Sequence, residues 1–456
     1  MIDQYLLFTV LFGMAFFYLA LGVWSALGVK TLQNYFLADR NLGVFKLTFA
    51  LVASQLGSGM ILGTAHRAYL IGLWGILYTI GMSLGFIILG LGLASRMRSL
   101  NISTTAELFE THYGSYSLRL LASALSILSL SGILLAQIVA SKTLFLGLKI
   151  TDPYVLISCW MFLIFYSMLG GLHSIVIIDI IQVLFIFGVF IFLFFSSLPT
   201  SAGALFDTSK LTLVQTHFFD VKTNMYDFLP LVFIPTLFSL IEQDLAQKFF
   251  AAKTKATATI SAFLAALFLI GFSCIPIFFG ILARIKHVVL LQGASPLVSV
   301  LFLVSSKLFF LFAICGIIAA ISSTASSLLC AISSNVVQDF SHFLPMEKGK
   351  LFTTRLISFF IGVTALIVSF FVQSDILFIL ENSYRISVIC LFVPTTIAYF
   401  AKSLSHEAAW SSILCGLFGL VGVQFFPMTD IMKDIIPLAL SFVGYLCIHI
   451  IIWLKK

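Results

Sequence analysis

Long runs of apolar residues, separated by short polar segments, follow one another along almost the whole chain. Most of these runs approach or exceed the roughly 20 residues that an α-helix needs to cross a bilayer. The pattern therefore predicts an all-α membrane protein with about 13 transmembrane helices. The predicted spans are 5–27, 45–70, 73–95, 120–145, 154–170, 174–198, 227–247, 256–283, 306–336, 353–373, 376–401, 409–427 and 434–454.

Composition agrees with this pattern, because 61% of the 456 residues are hydrophobic and only 9% are charged. A water-soluble body of that size would have too few polar side chains to cover its surface. The net charge of +7 lies mostly in short loops, so it reflects orientation in the lipid bilayer and predicts no nucleic-acid partner. The seven cysteines fall inside apolar runs without CxxC spacing, and we expect them to pack helices.

Lysine and arginine predict the orientation, because cytoplasmic loops carry an excess of basic residues. An outside N-terminus puts about 15 of the 25 basic residues inside, and an odd number of spans then makes the C-terminus cytoplasmic. Since residues 1–4 lack a basic segment, we expect 5–27 to be a retained span of a multi-pass inner-membrane protein. The residues placed inside are Lys30, Arg40, Lys46, Arg96, Arg98, Arg119, Lys248, Lys253, Lys255, Lys348, Lys350, Arg355, Lys402, Lys455 and Lys456.

Two spans carry residues that interrupt helices. Gly57 and Gly59 lie midway through the second span, and Pro230 and Pro235 lie in the seventh. Each opens a block of five spans, which is typical of transporters built from two inverted repeats around a mid-membrane site. Close helix packing alone also accounts for such residues. The predicted organisation is one transporter domain, 1–456, with an N-terminal helix and inner loop at 1–43, repeats at 44–198 and 226–402, an outer loop at 199–225, and two C-terminal helices at 403–456.

Hydroxyl side chains are concentrated in the ninth span, where five of the residues 322–327 are serine or threonine. Ser323, Thr324 and Ser327 share one helix face with Ala320. Hydroxyl oxygens are neutral ligands for a hard cation, and the unwound backbone of a broken helix supplies further carbonyl oxygens. The alternative is that these hydroxyls bond carbonyls one turn earlier and only pack helices.

Charged residues inside apolar runs are the next candidates. Asp179 lies in such a run, where a carboxylate needs a cation or a partner. A sodium ion, an inner-loop lysine, or protonation with capping of a helix would each satisfy it. We expect Glu381 and Arg385 to pair at i, i+4. Arg67 is expected to reach the lipid headgroups, with attraction of a carboxylate solute as the alternative.

Several stretches together resemble the sodium:solute symporter family. The resemblance implies the inverted-repeat fold of the bacterial leucine transporter and the import of a small organic solute with Na+. The stretches are Asn34-Tyr35-Phe36-Leu37-Ala38-Asp39-Arg40-Asn41-Leu42, Ala53-Ser54-Gln55-Leu56-Gly57-Ser58, Gly170-Gly171-Leu172 with Asp179 and Gln182, Ala319 to Ser327, and more weakly Glu242-Gln243 with Gln247-Lys248, where the family usually has Gln-Arg.

The resemblance also implies two groups of sodium ligands. The first joins backbone carbonyls to hydroxyls: Ala53, Leu56, Ala320, Ser323 and Thr324. A second sodium site, present in some members of the family, matches Asp179, Ser323, Ser326 and Ser327. The number of sodium ions is therefore one or two.

The solute pocket is expected at the two interrupted helices, although each of its residues is equally explained by ordinary packing. Proline carriers of the family have Asp where this chain has Gln55, and the seventh span of sugar carriers is more polar than here. Neither proline nor a hexose is therefore expected, and the predicted solute is an amino acid, a small carboxylate or a vitamin-like compound. The predicted lining residues are Gln55, Ser58, Gly59, Thr79, Gln137, Thr236 and Phe238, with Phe238 as a gate.

Other classes of function stay open as alternatives. A transporter of the same fold coupled to protons, or exchanging solutes, would use Asp179 as the proton carrier. A transporter-like solute sensor would carry an appended signalling domain, and only Lys455 and Lys456 follow the predicted span 434–454. An enzyme is not expected, because no paired catalytic carboxylates, nucleophile and base, or metal cluster is evident. No obligate protein partner is predicted.

Overall fold

The computed structural model describes residues 4–205, 229–288, 295–343, 350–372, 376–401 and 404–454. These residues form α-helices joined by short connections and by a few turns of 3-10 or π-helix. The α-helices, numbered in chain order, are α1 Gln4–Ala26, α2 Leu32–Leu37, α3 Val44–Gln55, α4 Thr64–Ile71, α5 Leu77–Ile88, α6 Ala94–Ser99, α7 Glu107–Tyr113, α8 Tyr116–Gly147, α9 Pro153–Leu205, α10 Leu229–Ser239, α11 Gln243–Phe250, α12 Lys255–Ile285, α13 Pro296–Val304, α14 Lys307–Asp339, α15 Lys350–Ser369, α16 Ile376–Phe400, α17 His406–Gly422 and α18 Asp430–Leu454.

The number of membrane crossings agrees with the sequence pattern. Within the described ranges, 11 helical segments are long and apolar enough to cross a membrane, and the bent pair Val44–Gln55 and Gly59–Ile71 adds a twelfth. A thirteenth comes from α9, whose 53 residues exceed what a bilayer of about 30 Å needs more than twofold. The all-α membrane fold predicted from the apolar runs is confirmed.

Gly171 divides α9 at the position where two separate spans were predicted. Its φ of 55° lies in the left-handed region, which glycine adopts without the steric cost of a Cβ. A Cβ at this position would also approach the carbonyl oxygen of Tyr35 to within 2.3 Å. The Tyr35 hydroxyl donates to the Met168 carbonyl at 2.8 Å, so α2 is fixed against this joint.

The first broken helix lies where the two glycines predicted it. The α-helix α3 ends at Gln55, and Leu56 has non-helical backbone angles of φ −73° and ψ 20°. A π-helical turn, Gly59–Gly63, then leads into α4. The two halves meet at an angle of 58°. The break therefore removes regular helical pairing from the backbone around residues 53–58.

The second break lies further along the chain than Pro230 and Pro235 predicted. Pro235 is inside α10, which continues to Ser239, and α11 begins only at Gln243. Glu242 between them is extended, with φ −60° and ψ 126°. Pro230 lies in the first turn of α10, where a proline removes no helical hydrogen bond, and Pro235 lies in the interior of the helix without ending it. The interruption predicted at the prolines is thus found at residues 240–242.

The hydroxyl-rich helix α14 is central in the described part of the molecule. It packs against α9 and α8. In its most apolar stretch of 18 residues, 78% of the residues are buried, which is the largest share among the described spans. Ser323 and Thr324 are both buried inside the protein. Their hydroxyls consequently face other helices and not lipid.

Basic loops gather at one end of the molecule. The Arg40 guanidinium donates to the Asn101 carbonyl at 2.8 Å, the Arg98 guanidinium donates to the Ala252 carbonyl at 2.5 Å, and the Lys253 N–H donates to the Leu42 carbonyl at 2.8 Å. Three of the loops predicted to share one side therefore touch each other. Four of the other predicted inner residues lie outside the described ranges: Lys348, Lys402, Lys455 and Lys456. The predicted outer loop is described only at 199–205, as the end of α9.

Candidate cation and solute site

Oxygen atoms from the first break meet the hydroxyl-rich face of α14. The Ser323 Oγ lies 3.2 Å from the Ala53 carbonyl oxygen and 2.9 Å from that of Ala320. The Thr324 Oγ1 lies 3.2 Å from the Ala53 carbonyl oxygen and 3.0 Å from that of Ser54. Two hydroxyl and three carbonyl oxygens therefore form one buried cluster, which we call the break cluster.

The break cluster has the chemistry that a hard monovalent cation requires. All five oxygens are neutral, and their lone pairs can replace the water around an ion without desolvating a carboxylate. Four residues of the predicted first sodium group, Ala53, Ala320, Ser323 and Thr324, are brought together. The fifth, Leu56, is fully buried at the end of α3, where its N–H bonds the Val52 carbonyl. The Ser54 carbonyl joins the group without having been predicted.

Gly57 allows the break to approach α14 this closely. A Cβ at Gly57 would lie 2.7 Å from the Thr324 Oγ1 and 3.1 Å from the Gln137 Oε1. We expect Gly57→Ala to push Thr324 away and to weaken sodium affinity by about 5- to 100-fold, the range typical of overpacking. Sodium titration of the melting temperature measures this. Gly188→Ala is the matched control, because nothing lies within 4 Å of a Cβ there; an equal loss in both variants would contradict the expectation.

Asp179 lies on α9, fully buried, and neither of its carboxylate oxygens has a hydrogen-bond partner among the described residues. An unpaired carboxylate at membrane depth is costly, so this side chain needs a cation or a proton. Lys248 acts on it electrostatically, but the described ion pairs do not include one between them. One turn further, the Gln182 Nε2 donates to the Ser322 Oγ at 3.0 Å and ties α9 to α14.

The predicted second sodium group is only partly assembled. The Ser326 Oγ donates to the Ser323 carbonyl on its own helix at 3.0 Å. The Ser327 Oγ instead accepts from the Lys248 Nζ at 3.0 Å. No described hydrogen bond joins Asp179 to these serines.

Lys248 is a core residue, which corrects its predicted place in an inner loop. Its side chain is fully buried, and its Nζ donates to the Asp244 Oδ1 and the Ser54 Oγ, both at 2.5 Å, as well as to Ser327. The predicted span ended at residue 247, one residue too early to include it. The i, i+4 spacing of Asp244 and Lys248 is the signal that could have shown this pair.

A small cavity of about 20 Å³ lies beside the break cluster. It holds about one water molecule, so a solute enters only when the surrounding helices move apart. Three of the predicted solute residues line it: Gln55, Gly59 and Gln137. The Gln137 Oε1 accepts the Ser58 N–H at 2.9 Å, which fixes α8 to the break.

The other predicted solute residues lie outside the lining of this cavity. The Thr236 Oγ1 bonds the Gly81 carbonyl at 2.8 Å and thereby packs α10 on α5. Thr79 and Ser58 are buried, and their hydroxyls have no partner among the described residues. Phe238 stacks on Tyr384 with ring centroids 4.4 Å apart. Tyr384 lines the cavity, and Phe238 does not.

Among the lining residues that the sequence prediction did not place in the solute pocket are Tyr78, Glu242 and Tyr384. The Glu242 Oε2 accepts from the Gln55 Nε2 at 3.3 Å, and the two tyrosine hydroxyls lie 3.0 Å apart. A carboxylate inside the apolar seventh span was visible in the sequence, as Asp179 was. Because the break was predicted at the prolines, Glu242 was expected inside a regular helix and not at the break.

Ion pairs on α16 differ from the prediction. The Arg67 NH2 lies 2.8 Å from the Glu381 Oε1, and the Arg385 Nε lies 2.6 Å from the Asp434 Oδ1. The expected pair of Glu381 with Arg385 is therefore wrong, because each finds a partner on an opposite helix. Because Arg67 is paired with Glu381, its guanidinium does not extend to the lipid headgroups. Its charge is likewise already paired and does not attract a solute carboxylate. Its pair holds α4 to α16 one residue away from Leu380, which lines the cavity.

Solved structures with a similar fold are membrane transporters. One is a Na+-coupled sialic acid symporter in a substrate-bound outward-open state, with a TM-score of 0.81 and 17% identity over 96% of both chains. Another is a nucleobase-cation-symport-1 family transporter in a closed conformation with bromovinylhydantoin bound, with a TM-score of 0.60 and 15% identity over 91% of this chain and 92% of that one. At such low identity the likeness establishes the fold alone.

Curated relatives match a shorter part of the chain. High-affinity choline transporter 1 of Caenorhabditis elegans is 27% identical over 192 residues, which are 38% of this chain and 33% of that protein. High-affinity choline transporter 1 of Drosophila melanogaster is 29% identical over 176 residues, which are 37% of this chain and 28% of that protein. The match thus spans only about a third of the relatives' length.

A family-wide comparison covers far more of the sequence. The profile of the sodium:solute symporter family matches residues 35–416, which include both breaks, α14 and every residue of the break cluster. The family and the matched structures are transporters and not enzymes, and sodium is the ion that couples transport in the family. The match covers well over half of the chain, so the protein belongs to the sodium:solute symporter family.

Proposed function

We propose that this protein imports a small organic solute together with sodium by alternating access. The observation that carries the proposal is the break cluster, in which Ala53, Ser54, Ala320, Ser323 and Thr324 offer five neutral oxygens. The residues fit a sodium ion, whose binding energy would hold the broken helix against α14. In this proposal the solute cavity lies between the two broken spans. One of these spans belongs to the repeat at 44–198 and the other to the repeat at 226–402.

Coupling would arise because the break cluster and the solute cavity share a wall. Ser54 and Thr324 belong to both. Sodium in the cluster would fix Thr324 and the end of α3, and thereby the shape of the cavity beside them. A ligand that orders part of a second site lowers the cost of filling that site. Sodium and solute would thus bind cooperatively. With both bound, the protein would change from the outward-open to the inward-open state.

The energy available from sodium is sufficient for concentrative uptake. Each inward sodium gains about 2.3 kcal/mol per 100 mV of inside-negative potential. A tenfold concentration gradient adds about 1.4 kcal/mol. One ion could then sustain a solute gradient of roughly 500-fold, and two ions roughly 10⁵-fold.

The number of sodium ions is a finer part of the proposal. Asp179 supports a second cation, because it is fully buried and has no described partner. The contact of Lys248 with Ser327 argues against a complete second group, since the ammonium already occupies one of its oxygens. We therefore propose one sodium in the break cluster, with Asp179 as the site of a second cation. A proton on Asp179 is the rival reading.

The place of the protein in the cell is also a proposal. The contact of three basic loops at one end of the molecule supports the predicted arrangement, in which that end is cytoplasmic. The N-terminus would then be outside and the C-terminus inside the cell inner membrane.

Choline, the solute in the names of the two curated relatives, is the first solute to test. Melting temperatures should be recorded for the purified protein with choline, amino acids, small carboxylates and vitamins, each in NaCl and in KCl. We expect stabilisation by sodium alone and a further rise when the right solute is present.

Uptake of the solute found in this way then distinguishes the driving ions. In proteoliposomes we expect accumulation under an inward sodium gradient and none under a pH gradient with potassium. Uptake that followed the pH gradient and ignored sodium would establish proton coupling instead. Equal melting temperatures in NaCl and KCl under all conditions would contradict the proposed function as a whole.

A further inference from the structure

Glu242 places a carboxylate at the second break, directly beside the solute cavity. The residue is extended between α10 and α11 and is buried inside the protein. Its Oε2 accepts one hydrogen bond, from the Gln55 Nε2 at 3.3 Å, and its side chain lines the cavity. Both breaks therefore meet at this point, since Gln55 ends α3 and Glu242 precedes α11.

The charge of Glu242 is not balanced by a basic side chain of its own. Lys248 is buried in the core and acts on Glu242 electrostatically, but its ammonium is already held by Asp244 at 2.5 Å. Arg67 pairs with Glu381. Among the described residues, no ion pair includes Glu242. An uncompensated carboxylate at this depth is costly, and a cation or a proton has to offset it.

Two tyrosine side chains form part of the wall of the same cavity. Tyr78 and Tyr384 line it, and Phe238 stacks against Tyr384 from behind. Ring faces attract organic ammonium groups, most strongly where water is excluded. Met60 and Met82 complete the wall with polarizable sulfur atoms that adapt to the shape of a ligand. Such a wall favours an ammonium carrying alkyl groups over a strongly hydrated metal ion.

The same arrangement disfavours an anion. No described arginine or lysine lines the cavity, and the Gln55 amide already donates to Glu242. A solute carboxylate beside Glu242 would meet a like charge without a compensating cation. This is opposed to the small carboxylates expected from the sequence.

We infer that the solute is a small organic ammonium ion whose positive charge rests against the Glu242 carboxylate between Tyr78 and Tyr384. The inference deepens the proposed function and rests on it, since it assigns the solute class of the same cavity. The loaded core would then hold one sodium in the break cluster and one organic cation on Glu242, in addition to the cation proposed on Asp179. The membrane potential would drive both inward.

The first test compares ammonium ions with a neutral molecule of the same shape. Binding of tetramethylammonium, N,N-dimethylethanolamine and 3-methylbutan-1-ol to the full-length protein is measured by calorimetry in saturating sodium. The last two have nearly the same shape and differ chiefly in the charged nitrogen. We expect the amine to bind at least about 30-fold more tightly than the alcohol. Affinities within about threefold of each other, or no binding of either ammonium, would overturn the inference.

The second test removes the carboxylate. Glu242→Gln keeps the size of the side chain, and we expect it to weaken tetramethylammonium binding by at least about 30-fold. Glu242→Asp, which keeps the charge, should recover part of the affinity. Glu110→Gln is the control, because it removes a carboxylate that is half-exposed and bound to Arg119. Monodisperse elution and a melting temperature no lower than that of the wild type verify that Glu242→Gln is folded; unchanged affinity in that variant refutes the role of Glu242.

The outcome separates the two levels of the proposal. Sodium binding to the wild-type protein is measured without any solute, so its absence would count against sodium coupling itself. Sodium binding without ammonium binding would leave sodium coupling intact and contradict only the solute class. Ammonium binding that does not depend on Glu242 would contradict only the role of that carboxylate.

Discussion

Replacement of Ser323 and Thr324 together by alanine is expected to lower the affinity for sodium by at least about 100-fold. The two hydroxyls supply both side-chain oxygens of the break cluster and face the carbonyl oxygens of Ala53, Ser54 and Ala320. Hydrogen bonds or ligand contacts to a charged group contribute about 1.5–3 kcal/mol each, and two are removed. The measurement is the sodium-dependent rise in melting temperature, which should vanish in the accessible range of concentration.

A matched control removes two hydroxyls that do not meet the break. The Ser167 Oγ bonds the Leu163 carbonyl and the Ser369 Oγ bonds the Leu366 carbonyl, each on its own helix. The Ser167→Ala, Ser369→Ala double variant is expected to keep the sodium response of the wild type. If the two double variants lost the response to the same extent, general destabilisation and not ligand removal would be the cause.

Replacement of Lys248 by methionine is expected to destabilise the protein by about 3–5 kcal/mol. The ammonium is fully buried and is the only described ion-pair partner of Asp244. Its loss leaves that carboxylate uncompensated and frees the Ser54 and Ser327 hydroxyls that it joins. The free energy of unfolding, or the melting temperature at fixed detergent, measures the effect.

A double variant identifies the cause. Lys248→Met combined with Asp244→Asn removes both charges, and replacement of a buried pair by neutral groups is often close to neutral. We expect it to recover more than half of the stability lost by Lys248→Met alone. Lys46→Met removes an exposed lysine and should have little effect. Equal losses in the single and the double variant would show that the pair is not what Lys248 contributes.

The fold was largely predictable because the apolar runs have the length of a bilayer. Even the division of α9 at Gly171 followed from two runs separated by a Gly-Gly pair. The alignment of Ser323 and Thr324 with the first break was implied by the family resemblance, and the small residues and hydroxyls on one face of that helix are compatible with close approach. These features depend on local sequence or on a single helix face.

Partners across helices were not predictable in the same way. The i, i+4 spacing of Glu381 and Arg385 suggested a pair, but Arg67 on α4 and Asp434 on α18 lie opposite them and compete successfully. Spacing along a helix reports only the neighbours on that helix. The helix that lies opposite is decided by packing of the whole bundle.

The second break shows how a misplaced boundary conceals a site. The prolines placed the interruption at residues 230–235, whereas the backbone leaves the helix at 240–242. Glu242 was consequently predicted only as part of a weak family motif, and Lys248 was predicted to lie in an inner loop. Both are buried charges in the core, and Glu242 lines the cavity beside the break cluster.

Equilibrium binding of radioactive ²²Na+ to the purified protein, without any solute, examines the break cluster most directly. We expect saturable binding that unlabelled sodium displaces and potassium does not, and its loss in the Ser323→Ala, Thr324→Ala variant. Undiminished ²²Na+ binding by that variant would mean that the ion is held elsewhere, and the proposed coupling through the first broken helix would be wrong.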